Sequence, residues 1–345
     1  MDAGTRDYSI DLVKTVAITG VVVIHACAPG FGTVRTGSFE WGSTLLWGSL
    51  ARASVPLFLM CSGALLLDPE RPLTFRKLYT RTLPRVLLAL FFWAAAYRLP
   101  ELLCEGFSVG SVVRVLKDLL AFRHEPHLYY LHITLLLYAF LPLTRVFVRH
   151  ATEKELRYAL GLWFVVGILY PTVRPFRPFT LLDGIPAQWM MNMAYASIGY
   201  SMLGYALRKS PPCVWISRLL FLCGFLGVFA GTWILSVRVG IYNEHFLEGM
   251  TVGVCAMATG IFGRCTALKK TPSRNTRAVV AYLSKASFCV YLTHVFFLRL
   301  LMRLSFLTSP PYALTIPFLS VLTLLCGIAA YTILSRIPWV RRWLI

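Results

Sequence analysis

The sequence has 345 residues, of which 57% are hydrophobic and only 14% charged, and its mean hydropathy is +0.66. A water-soluble chain of this length needs a polar exterior that so few charged residues cannot cover, which excludes an ordinary cytosolic enzyme. The formal net charge is +19, from 34 Lys and Arg against 15 Asp and Glu. Because the cations are interleaved with apolar runs, the expected partner is a lipid bilayer and not nucleic acid.

A helix crosses a bilayer core with about 20 apolar residues. That ruler marks ten spans, at 9–28, 44–67, 83–104, 128–147, 157–171, 188–207, 214–236, 248–263, 286–304 and 312–335. The expected fold class is all-α, a polytopic membrane protein with about ten transmembrane helices that form one integral membrane domain over residues 1–345. Lys and Arg are retained on the cytoplasmic side of a span. With both termini cytoplasmic, 23 of the 34 cations fall on that side, from Arg6 and Lys14 through the segments 71–85, 145–157, 208–218, 264–285 and 336–342. This model turns Cys104 outward and Cys265 to the cytoplasm. Between the third and fourth spans, residues 108–122 carry apolar side chains at helical spacing around Arg114, Lys117 and Asp118, as an amphipathic helix on the outer interface does. Six of the nine cysteines lie inside apolar runs and no C-x-x-C pair occurs, so they read as small core residues. Ile24 to Cys27 imitates a lipoprotein cleavage site, but a His within it and the many spans that follow favour a retained helix.

The first span carries three groups that a bilayer tolerates poorly: Asp11, Lys14 and His25. At about 100° per residue, Lys14 and His25 differ by about 20° around the helix and Asp11 lies about 60° from Lys14, so all three share one stripe. His25 is about 16 Å further along the axis than Lys14. Intramembrane ionisable groups face a partner or a cavity. A simpler reading makes Asp11 and Lys14 an interfacial ion pair and His25 a hydrogen-bonded packing residue.

In the second span Arg52 precedes Pro56, which removes a backbone donor and frees a carbonyl; snorkelling to the outer surface would also explain this Arg. Arg76, Lys77, Arg81 and Arg85 surround the start of the third span. Arg81 and Arg85 are spaced i, i+4 for one helix face, which suits phosphate as well as ordinary positive-inside usage. His127 and His132 flank Tyr129 and Tyr130. Their spacing does not put two ligands on one face and no carboxylate or cysteine completes a set, so no metal is expected. Tyr291 and His294 share a face of the ninth span, where a packing role with a hydrogen bond suits His294.

The segment Tyr8-Ser-Ile-Asp11-Leu-Val-Lys14 through His25 resembles the first helix of the acyltransferase-3 family, bacterial polytopic enzymes that acylate cell-surface glycans. That helix carries a basic residue, normally Arg, eleven positions before a functional His, and an Asp three positions before the basic one. Lys14 replaces the Arg, which keeps the charge and loses the planar fork. Four further blocks agree in order: Arg52-Ala-Ser-Val-Pro56-Leu-Phe58 through Ser62-Gly63, the basic run to Arg85, His127-Leu-Tyr129-Tyr130-Leu with Tyr138 and Pro142, and Ser287-Phe-Cys-Val-Tyr291-Leu-Thr-His294. A Trp is more usual at Tyr129. The Arg52 and His127 blocks resemble the branch that contains the enterobacterial common antigen O-acetyltransferase.

The resemblance implies a bacterial inner-membrane O-acyltransferase that takes an acyl group, usually acetyl, from cytoplasmic acyl-CoA to a hydroxyl of a cell-surface or lipid-linked glycan. Acetyl-CoA is then the donor and the glycan the second partner. His25 is the expected catalytic residue with Asp11 and Lys14; Arg81, Arg85 and Lys77 are expected to bind the CoA phosphates, and Arg52, His127, Tyr130 and His294 the substrate. A neutral His25 would take a proton from the acceptor hydroxyl or act as nucleophile through an acyl-His form. The alternative is a carrier or glycan flippase whose buried charges line a substrate path. The sequence shows no matched pair of broken helices in its two halves, and its buried charges concentrate in the first four spans, which favours the enzyme.

Overall fold

The computed structural model describes residues 7–71, 73–106, 108–123, 125–268 and 272–345. Arg6, Lys269 and Lys270, counted above among the cytoplasmic cations, lie outside them. The described residues are helical with no strand. Among the described residues nine helices are long and apolar enough to cross a membrane. The expected sixth span is a helix of 17 residues, Met193–Lys209, just under that length.

Helix α1 (Tyr8–Ala26) begins where the Asp7 carboxylate accepts from the Ser9 amide at 3.0 Å and from Ile10, which satisfies donors that have no partner inside the helix. The second span is not one helix but two, α2 (Phe39–Ala51) and α3 (Ser54–Leu66). The break follows from Pro56. It lacks the N–H that would donate to the carbonyl four residues back, which belongs to Arg52, and its ring crowds that carbonyl. The third span contains a π-turn at Leu78–Thr82 ahead of α4 (Leu83–Glu105). The amphipathic segment is α5 (Val109–Leu120), started by a capping box between Ser108 and Ser111. Val109, Leu116 and Leu120 stay exposed on it, and its polar face is tied to α4 by Arg114 with Glu101 (3.5 Å) and Arg98 with Asp118 (3.8 Å).

The chain continues through α6 (Tyr129–His150), α7 (Glu153–Phe164), α8 (Met193–Lys209), α9 (Val214–Val239), α10 (Val252–Thr266), α11 (Arg274–Leu301), α12 (Tyr312–Leu334) and the short α13 (Pro338–Trp343). Helix α11 starts twelve residues before the expected boundary at 286. Arg274, Arg277 and Lys285 interrupt the apolar run there, yet Ser273 caps the helix by accepting from the Thr276 amide.

Helix α1 is central, packed against α2, α3, α10, α11 and α12. A Cβ at Gly20 would collide with the Ser54 hydroxyl, so glycine lets α1 approach the first turn of α3. Outer helices expose apolar stripes, such as Leu219, Leu222 and Leu226 on α9 and Phe318, Val321 and Leu325 on α12. Their i, i+3, i+7 spacing presents one continuous face to lipid. One end of the bundle gathers Arg208 onto Asp7 (3.0 Å) and the Ala64 carbonyl (2.6 Å), with Arg145 on the Arg71 carbonyl (2.8 Å). At the other end Arg299 pairs with Glu125 through two bonds of 2.7 and 3.1 Å. These contacts gather the start of α1 with the ends of α3, α6 and α8 at one end of the bundle, and the segment before α6 with the end of α11 at the other.

Candidate active site

Three histidines from three segments meet towards the second of these ends. His25 comes from the last turn of α1, His127 from the 3-10 turn Pro126–Leu128 ahead of α6, and His294 from α11. The ring centroids of His25 and His294 are 4.8 Å apart, those of His127 and His294 5.2 Å, and those of His25 and His127 6.3 Å. All three contacts are edge-on. The Tyr291 hydroxyl donates to the His127 carbonyl at 2.6 Å and pins α11 to the start of α6. Tyr97 packs on His127 at 5.0 Å while its hydroxyl donates to the Leu292 carbonyl at 2.9 Å. An apolar cluster that includes Ile18, Val21, Leu90, Leu128 and Val290 surrounds the group.

A cavity of about 180 Å³ opens in front of this cluster. His25, Arg52, His127, Tyr129, Tyr130 and Tyr291 supply its polar groups, and Val21, Ile24, Val55, Pro56, Met193, Leu247 and Gly249 the rest. Arg52 reaches it because the α2–α3 break turns the chain there; its guanidinium acts on both His25 and the Tyr242 hydroxyl. Two polar atoms on the lining residues are buried without a hydrogen-bond partner, Arg52 Nε and His127 Nε2. An unpaired buried polar atom costs about 1–3 kcal/mol, and native interiors leave few of them. Two on one small cavity mark a place where a polar ligand or water belongs.

The structure places the expected site residues in three groups. His25, Arg52, His127 and Tyr130 converge on the cavity. His294, fully enclosed, stands behind His25 and does not line it. Asp11 and Lys14 are on α1 but remote: Asp11 precedes His25 by fourteen residues, about 21 Å of rise. Its buried carboxylate accepts from the Ser284 hydroxyl at 2.6 Å, which ties α1 to α11. His132 packs on Phe122 at 5.1 Å, away from His127.

Arg81 lies in the π-turn Leu78–Thr82 and Arg85 in the first turn of α4, within reach of each other's charge. Lys77 and Arg81 are exposed, whereas Arg85 turns inward, donates to the Ile345 carbonyl and lies 5.9 Å over the Phe288 ring. Cys265, expected to face the cytoplasm, is buried at 8% exposure because its helix, α10, packs against α9.

Two residues near the cluster carry no sequence signal. Tyr97 lies in an apolar run, and Tyr242 in the loop after α9, where it stacks on Phe31 at 4.4 Å. Burial raises the Tyr242 phenol above its ordinary value and the Arg52 guanidinium partly opposes that rise.

The sequence model of the acyltransferase-3 family, described as an acyltransferase domain, matches residues 7–332. No curated protein and no solved structure matches the chain.

Proposed function

The chain belongs to the acyltransferase-3 family, and from that premise we propose that it is an O-acetyltransferase of the bacterial inner membrane, moving an acetyl group from cytoplasmic acetyl-CoA to a hydroxyl of a cell-surface or lipid-linked glycan. The observation that carries the reading is the cavity: His25, His127 and Arg52 line one small space inside an apolar bundle, and two of them carry a buried polar atom with no partner. Its volume of about 180 Å³ suits an acyl group and the hydroxyl that attacks it. The nucleotide end of the donor is assigned elsewhere. The exposed Lys77 and Arg81, at the end of the bundle opposite the histidines, are the proposed phosphate contacts, with both termini on that cytoplasmic side.

His25 takes the proton of the acceptor hydroxyl as its oxygen attacks the thioester carbonyl. Arg52 is placed to hold the oxyanion that forms, a role that uses its otherwise unpaired Nε. Collapse of the tetrahedral species breaks the C–S bond, and the departing thiolate receives the proton from His25. His127 and Tyr130 orient the acceptor. The Arg52 and His127 blocks support the branch with the enterobacterial common antigen O-acetyltransferase.

The test is transfer of label from radioactive acetyl-CoA to a panel of lipid-linked glycans by purified protein in vesicles. Labelled glycan supports the reading. Glycan that crosses the bilayer unlabelled, with acetyl-CoA intact, would replace it with the carrier.

A further inference from the structure

We propose that His294 is a positioning residue, which sets the tautomer of His25 and so presents His25 Nε2 to the cavity as a bare base. This rests on the reading of His25 as the base in acyl transfer.

The argument follows from which atoms can donate. His294 Nδ1 lies 2.7 Å from the Tyr291 carbonyl oxygen. A carbonyl only accepts, so Nδ1 carries the hydrogen, and in the neutral ring Nε2 is then a lone pair. That Nε2 faces His25 Nδ1 at 3.4 Å, while His25 Nδ1 is also 2.9 Å from the Val21 carbonyl oxygen. With its hydrogen on Nδ1, His25 donates to Val21 along the shorter branch and to His294 along the longer one. With its hydrogen on Nε2, three lone pairs would point at one another inside an apolar cluster. The geometry therefore selects one tautomer of His25, and the second acceptor on His294 strengthens that choice.

The selected form suits the reaction. His25 makes no hydrogen bond through Nε2 among the described residues, and the residue lines the cavity. When Nε2 takes the hydroxyl proton, the ring becomes a cation whose Nδ1–H points at two acceptors already in place. No group has to rotate. His294 itself is 0% exposed and off the cavity wall, so it acts through His25 and not on the substrate.

The proposal is tested on purified full-length protein in lipid nanodiscs by two measurements. The first is the nitrogen-15 spectrum of histidine-labelled protein, with His25 assigned by comparison with His25→Asn. The expected result is a protonated Nδ1 and a bare Nε2; a protonated Nε2 overturns the proposal. The second is release of free CoA from acetyl-CoA with water as acceptor. Loss of a hydrogen bond to a charged group slows the step by about 10- to 100-fold, so His294→Leu should lower kcat by that factor with KM for acetyl-CoA unchanged. His294→Gln returns an acceptor at the Nε2 position and should recover most of the rate. Equal loss in the Leu and Gln variants, or a change in KM alone, overturns the positioning role. If the unaltered protein releases no CoA to water, the same comparison of variants is made on transfer of label to glycan, whose absence overturns the acetyl-CoA reading while the nitrogen spectrum still decides the tautomer.

Discussion

Replacing His25 with Ala removes the imidazole from the cavity wall and adds no charge to the bilayer interior. The cost to the fold is small. The Val21 carbonyl loses the His25 ring at 2.9 Å but lies inside α1 and keeps the helix's own hydrogen bond, whereas His294 Nε2 loses its neighbour at 3.4 Å. That loss is about 1–3 kcal/mol. The cost to catalysis is larger. A general base contributes about 100- to 10,000-fold, which is about 2.7–5.4 kcal/mol of barrier. His25→Ala should therefore insert, purify and bind acetyl-CoA in a calorimeter with nearly unchanged affinity, yet transfer label to glycan at least 100-fold more slowly. Lys14→Arg, which places the family's usual residue about 16 Å away along α1, should retain far more activity. Near-normal acylation by His25→Ala together with an inactive Lys14→Arg would refute the catalytic assignment and leave His25 as a packing residue.

The exposed cations and the inward one separate in a second experiment. Lys77→Ala with Arg81→Ala should weaken acetyl-CoA binding and flatten its salt dependence, whereas Arg85→Ala should instead raise hydrogen exchange around Leu344 and Ile345, which it holds against the bundle; unchanged binding in the double variant would move the phosphate site. Sidedness is read from thiols: an impermeant maleimide on intact cells should label exposed Cys104 and spare exposed Cys213, while Cys265 stays silent from either side because it is buried. Labelling of Cys213 in place of Cys104 would invert the topology.

The helical bundle was legible in the sequence because lipid imposes one rule along the whole chain: about 20 apolar residues, then a polar or cationic interruption. The rule fails where cations are absorbed into a helix. Lys285 looked like a loop residue, yet α11 runs through it, and Ser284 beside it holds Asp11. For Arg85 the local pattern leaves out its partner: the guanidinium donates to the Ile345 carbonyl, which no spacing near it in the chain could place there.

The histidine cluster shows the opposite limit. His25, His127 and His294 were each visible as polar groups in apolar surroundings, but their meeting depends on how α1, α6 and α11 cross, which no local pattern encodes. Arg52 is an intermediate case. Pro56 stands four residues after it, so the loss of the i→i−4 bond at the Arg52 carbonyl can be read from two letters of sequence. What cannot be read is where the resulting turn aims the guanidinium. That is decided by Gly20, whose missing Cβ brings α1 against Ser54 and so sets Arg52 and His25 on the same cavity. A methyl group at Gly20 would have to push α3 away from α1. The short-range break supplies an arginine at a turn, and the long-range glycine contact makes it part of the site.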